Sequence, residues 1–278
     1  MYQTLITAEE LHSMFDQQDV VLLDCRYYLM EPDRGRKEYM QSHIPGAYYM
    51  DTLLDLSSPI LKGVTGRHPL PHPEVFAYTM KNCGIHNGTQ VIAYDQQGGV
   101  YASRAWWILQ WLGHSSVAVL DGGFMHWLSS GYETDNQWPP PKQGTFTFHL
   151  QPHLAVSMEE VARKAHPLVD SREFKRYTGE TEPIDPVAGH IPGAICVPYM
   201  DNVDEKGFWK SSSWLKQKFS AIPFDPALPP VFYCGSGVTA CHNILAYKIA
   251  TGHDARLYGG SFSEWIHYHP VATGSTAD

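Results

Sequence analysis

The chain has 278 residues, more than one domain usually holds, and its 43% hydrophobic residues include 8 Trp, 16 Tyr and 11 Phe, enough apolar material for two packed cores and too much for a disordered chain. Twenty Lys plus Arg against 29 Asp plus Glu leave a formal charge of −9, which argues against nucleic acid or an acidic membrane as partner, so any anion site must be local. No apolar run approaches the ~20 residues that a membrane helix needs, and Met1 to Leu11 lacks the basic start and apolar core of a signal peptide. A cytoplasmic protein is expected. Its five cysteines, Cys25, Cys83, Cys196, Cys234 and Cys241, form no C-x-x-C pair, and no Cys/His spacing matches a zinc site. Reduced thiols, no metal and no cofactor are therefore expected.

Along the chain, Thr7 and Glu10 form a capping box that starts a helix over Ala8 to Phe15. Short apolar runs at Val20 to Leu23, Val91 to Tyr94 and Val117 to Leu120 read as strands, and Ser103 to Leu112 as a helix. Apolar runs buried on both faces and separated by helices indicate an α/β fold with a mainly parallel sheet flanked by helices. His68 and His72 lie in a proline-broken loop. From Trp138 to Gly144 three successive prolines can neither continue a helix nor sit in a central strand, which marks the start of a linker. A second capping box, Ser157 with Glu160, then opens a helix over Met158 to Lys164.

The landmarks of the first half return in order. Leu22-Leu23-Asp24-Cys25-Arg26 recurs as Leu168-Val169-Asp170-Ser171-Arg172, and His43-Ile44-Pro45-Gly46-Ala47 as His190-Ile191-Pro192-Gly193-Ala194. Val91 to Asp95 recurs as Pro230 to Cys234, and Asp121-Gly122-Gly123-Phe124 as Tyr258-Gly259-Gly260-Ser261. The chain reads as a tandem duplication, with one domain over 1–138, a linker over 139–152 and a second domain over 153–278.

The segment that carries chemistry is Val231-Phe232-Tyr233-Cys234-Gly235-Ser236-Gly237-Val238-Thr239-Ala240-Cys241-His242. A buried strand ends at Cys234, two glycines follow, and a helix pattern runs from about Thr239 to Ile249. Such a loop turns backbone N–H groups around one point, and the helix start adds its own donors and dipole. That cradle favours an anion, which makes Cys234 a nucleophile as its thiolate. Cys241, two turns along the helix, and Cys25, Cys83 and Cys196 read instead as buried structural residues.

Cys-Gly-Ser-Gly-Val-Thr-Ala-Cys resembles the active loop of the 3-mercaptopyruvate sulfurtransferases, relatives of rhodanese, and the paired His-Ile-Pro-Gly-Ala segments and Gly66-Arg67-His68-Pro69-Leu70-Pro71 are similar to that family as well. The resemblance covers nearly the whole chain. It implies a tandem pair of rhodanese-like domains that transfers sulfane sulfur through a persulfide on Cys234, from 3-mercaptopyruvate or, alternatively, from thiosulfate. The acceptor it implies is cyanide, a small thiol or a protein thiol such as thioredoxin. By resemblance Arg176 grips the donor's anionic group, Gly235, Gly237, Val238 and Thr239 line the donor site, and Ser236 with His68 and Asp51 or Asp55 forms a Ser-His-Asp relay. The segment Glu182-Pro183-Ile184-Asp185-Pro186 lacks the second arginine that these enzymes tend to carry there, and Gly235 and Ser236 bring no cation next to the cysteine.

Two other classes fit less well. Phosphatases of this fold end their cysteine loop in an arginine, and Gly235 to Cys241 contains no basic residue; a binding module without catalysis would lack the cysteine in both copies. The first copy has Asp95 where the second has Cys234, so the first domain is expected to be silent and to lack the glycine-rich cradle.

Overall fold

Apolar runs bounded by turns become the strands of two five-stranded sheets in the computed structural model, which describes residues 1–15, 19–222, 225 and 227–275. The first unit comprises Met1–Ser58, Pro71–Gln151 and Val203–Trp209. Its elements are β1 (Leu5–Ile6), α1 (Ala8–Ser13), β2 (Val20–Asp24), α2 (Arg34–Gln41), β3 (Tyr48–Tyr49), α3 (Pro73–Asn82), β4 (Gln90–Tyr94), α4 (Ala102–Trp111), β5 (Val117–Leu120) and α5 (Gly123–Ser129). The strand order is β1-β5-β4-β2-β3 and every pairing is parallel. The second unit comprises Pro59–Leu70, Pro152–Asn202 and Lys210–Asp278. It holds β6 (Ala155–Val156), α6 (Met158–Ala162), β7 (Leu168–Asp170), α7 (Phe174–Thr178), β8 (Ala194–Cys196), α8 (Ser212–Lys218), β9 (Val231–Tyr233), α9 (Val238–Thr251), β10 (Arg256–Tyr258) and α10 (Ser261–Trp265), with the same parallel order β6-β10-β9-β7-β8.

Both expected capping boxes form: Thr7 and Glu10 exchange side-chain-to-amide hydrogen bonds, as do Ser157 and Glu160. The helices they start are shorter than the periodicity suggested, ending at Ser13 and Ala162. The units also differ from a cut at 138 and 153. Residues 59–70 cluster with the second unit, and the stretch expected as a linker runs extended along the first, where the amides of Lys142, Gly144, Phe146 and His149 donate to Asn82, Lys81, Ile85 and Leu112 carbonyls.

The repeated landmarks have a common physical basis. In each unit an aspartate at the end of a central strand holds the arginine two residues on: Arg26 Nη2 lies 2.7 Å from Asp24 and Arg172 Nη2 2.6 Å from Asp170, all four buried. The same guanidinium nitrogens donate to the carbonyls of Ser42 and Gly189, just before each His-Ile-Pro-Gly-Ala segment. Tyr39 and Tyr177 donate to the carbonyls of Ala47 and Ala194, and the buried Tyr94 and Tyr233 hydroxyls accept from the amides of Ile44 and Ile191. Buried charges need partners of this kind, so aspartate, arginine and the segment they hold recur together.

Burial opposes the charge of Arg172, but Asp170 and Glu182 outweigh it and raise its pKa. Replacing Arg172 by Met would leave two buried carboxylates without this partner. The expected loss is about 3–5 kcal/mol of unfolding free energy in urea titrations, and a loss below about 1 kcal/mol would refute the view that the pair organises its unit.

Candidate active site

Cys234 is the first residue beyond β9 and is only 2% exposed. Gly237 has a φ of 82°, a conformation that glycine adopts without strain, and it turns the chain directly into α9. This turn aims two amides back at the sulfur, with Gly237 N at 3.0 Å and Ser236 N at 3.4 Å from Cys234 Sγ. The cradle inferred from the glycines is therefore present, and negative charge on the sulfur meets donors already in place. The loop is fixed from behind: Ser261 Oγ accepts from the Cys234 amide, and the amides of Phe262 and Ser263 donate to the carbonyls of Cys234 and Gly235. Val238 and Thr239 begin α9, Val238 buried and Thr239 half-buried, while Cys241 is buried and donates to the Gly237 carbonyl.

His68 reaches the loop from the 59–70 segment. Its Nδ1 lies 2.7 Å from Ser236 Oγ, with both residues buried. The segment is held by close backbone approach: a Cβ on Gly66 would run into the Gly260 carbonyl, and one on Gly259 would come within 3.0 Å of Leu70. The Arg67 amide donates to Ser263 Oγ, and the Tyr268 hydroxyl to the Val64 carbonyl.

Arg176 projects from α7. Its Nε and Nη2 donate to Glu182, and Nη2 also to Asp185. Arg172 donates to Glu182 as well, and Arg67 pairs with Asp185. A Cβ on Gly235 would lie 2.6 Å from Arg67 Nη2 and 3.5 Å from Arg176 Nη2. Contrary to the expectation of no cation next to the cysteine, two guanidinium groups lie beside the residue that follows it. Arg67 was missed because its position depends on a fold-back of 59–70 that no local pattern encodes. Its place next to His68 was the available signal.

Burial pushes the thiols of Cys83 and Cys196 up to about 12 and that of Cys25 well above its ordinary value, so none of these is a nucleophile at neutral pH. Asp51 belongs to the first unit, where its carboxylate accepts from the amides of Leu53 and Leu54; Asp55 accepts from the Asp51 amide, and burial raises its pKa. Among the described residues no cluster of His, Cys, Asp or Glu could hold a metal ion, and no helix is long and apolar enough to cross a membrane.

The model of the rhodanese-like domain matches the chain twice, at residues 7–130 and 156–268. The chain belongs to the rhodanese-like family. It is 43% identical to a probable 3-mercaptopyruvate sulfurtransferase of Pseudomonas aeruginosa, over 97% of this chain and 98% of that one. It is 34% identical to the thiosulfate sulfurtransferase of Rattus norvegicus, over 98% and 95%. SseA of Escherichia coli, solved as an example of the 3-mercaptopyruvate sulfotransferases, superposes with a TM-score of 0.82 at 29% identity, over 95% of this chain and all of that one.

The first rhodanese-like domain corrects another expectation. A cradle is present around Asp95, whose carboxylate accepts from the amides of Gln97, Gly99, Tyr101 and Ala102. The glycine-rich turn is kept, with Gly98 and Gly99 at φ of 84° and 78°, and it is filled by the side chain of the domain itself. Burial lifts the Asp95 pKa to about 6 against those four amides. A carboxyl whose folded pKa is raised stabilises the fold when protonated and loses that contribution as the pH rises through the folded value. The stability of wild type relative to Asp95→Ser should therefore fall between about pH 4 and about pH 7 in urea titrations, given the raised pKa of Asp95. A constant difference would show that the amides cancel the effect of burial.

Proposed function

We propose that this rhodanese-like protein is a sulfurtransferase that carries sulfane sulfur as a persulfide on Cys234, with 3-mercaptopyruvate as donor. The observation that carries the reading is the Cys234 sulfur facing the amides of Ser236 and Gly237, beside a Ser236 hydroxyl bonded to His68. Five free cysteines fit a reducing compartment such as the cytoplasm.

In the loading step the Cys234 thiolate attacks the donor sulfur, an S–S bond forms and the C–S bond breaks. The electron pair leaves on the enolate of pyruvate. The proton of the donor thiol passes through Ser236 and His68 to the enolate carbon, giving pyruvate and a Cys234 persulfide anion. The loop amides hold that charge. Family resemblance supports Asp51 or Asp55 as the acid of this relay. In the second step an acceptor takes the outer sulfur, cyanide leaving as thiocyanate or a thiol as its own persulfide, and the Cys234 thiolate returns.

Thiosulfate is the second reading, and the guanidinium pair at Gly235 favours it as much as any anionic donor. Its leaving group, sulfite, carries an extra charge that cations beside the sulfur would stabilise. The preference for mercaptopyruvate therefore rests on the Ser236–His68 pair, which offers a proton that sulfite does not need.

Incubation with either donor should add about 32 daltons to Cys234, one sulfur atom, removable by cyanide. Cys234→Ser should retain less than about 1% of turnover with its fold intact, because a serine hydroxyl is a poor nucleophile without strong activation. Substitution of Cys25, Cys83 or Cys196 should leave transfer in place. Higher kcat/KM for thiosulfate than for 3-mercaptopyruvate, with His68→Ala harmless to both, would move the enzyme to the thiosulfate branch.

A further inference from the structure

We propose that Arg67 is a donor-binding residue, which together with Arg176 forms a two-guanidinium receptor over Gly235 for the carboxylate of a 2-oxo acid donor. The inference rests on the reading of Cys234 as the sulfur carrier and names the group that holds its substrate.

Three arginines and three carboxylates are linked in the second unit: Asp170 to Arg172, Arg172 to Glu182, Glu182 to Arg176, Arg176 to Asp185, and Asp185 to Arg67. Formal charges cancel across the six groups, so the cluster attracts anions through orientation rather than surplus charge. That orientation is one-sided. The three atoms nearest a Cβ position on Gly235 are Arg67 Nη2, Arg176 Nη2 and Arg176 Nη1, all of them guanidinium nitrogens. Arg67 Nε is buried and donates to no group among the described residues, and the hydrogen bonds of Arg176 run from its Nε and Nη2. Guanidinium nitrogens of two arginines gathered beside the residue that follows Cys234 match the paired oxygens of a carboxylate.

The chain holds Arg67 in this place by several means. Asp185 anchors its guanidinium, the backbone of Gly66 and Arg67 is pinned to Gly260 and Ser263, and the absence of a side chain at 235 leaves room for it. Burial lowers the Arg67 pKa, with Cys234 acting against it and the neighbouring Arg176 adding to it. Arg67 thus supplies from a separate segment the cation that Gly235 cannot.

The test compares wild type with Arg67→Gln, Arg67→Lys, Gly235→Ala and the Arg67→Gln/Gly235→Ala double variant. Steady-state kcat and KM are measured with 3-mercaptopyruvate and thiosulfate, and thermal melting confirms folding. Independently of turnover, pyruvate, which has the carboxylate but no transferable sulfur, is used to protect Cys234 against iodoacetamide. For Arg67→Gln the KM for 3-mercaptopyruvate should rise roughly 10-fold or more with kcat changed less than about 3-fold, and pyruvate protection should weaken in parallel. Arg67→Lys should recover part of both, since it keeps the charge without the fork. Gly235→Ala should raise KM in wild type and add little in the Arg67→Gln background, because the Cβ and the guanidinium compete for one space. An Arg67→Gln enzyme with wild-type KM and wild-type pyruvate protection would overturn the proposal. Failure of wild type to load sulfur on Cys234 from any donor would instead overturn the functional reading, while pyruvate protection still reports on Arg67.

Discussion

A guanidinium taken out of water must have its charge balanced, and in the second domain that constraint spreads from Arg172 to the active loop. Asp170 at the end of β7 balances Arg172, which leaves a donor for Glu182. Glu182 holds Arg176, Asp185 joins Arg176 to Arg67, and the two outer arginines come to rest together beside Gly235. The first domain has the inner pair, Asp24 with Arg26, and among the described residues no such chain of ion pairs extends from it. What separates the two copies electrostatically is therefore an extension of a structural ion pair. Each member is placed by the need to satisfy the one before it.

The other constraint is steric. Cys234 has donors facing it because a strand buried on both faces ends there and a left-handed glycine starts a helix three residues later. Nothing else in the loop need be special for two amides to meet the sulfur. The hydroxyl and imidazole are added by Ser236 and by a segment that Gly66 allows to lie against Gly260.

Much of this was legible in the sequence because it is local. The capping boxes, the buried strands, the repeated Asp-x-Arg and His-Ile-Pro-Gly-Ala segments and the glycine turn after Cys234 each rest on contacts within a short stretch or on a periodicity, and each forms. Arg67 was not legible in the same way. Its role depends on residues 59–70 belonging to the second unit and on a partner, Asp185, far away in the sequence. The cradle around Asp95 was overlooked for a different reason: Gly98 and Gly99 were visible, but a carboxylate was read as the absence of a nucleophile and not as the occupant of an anion site.

Counting bonds outward from the backbone, the charged oxygen of an aspartate stands in the same place as the outer sulfur of a cysteine persulfide: each is the second atom beyond Cβ. Asp95 is in that sense a permanent isostere of a loaded cysteine, accepting four amides where the bare sulfur of Cys234 accepts two. The duplication has left in the first copy a side chain with the reach and charge of the persulfide proposed on Cys234. Carried into the second domain as Cys234→Asp, the same side chain would give a stable stand-in for the persulfide proposed there, suited to capturing acceptors that recognise it.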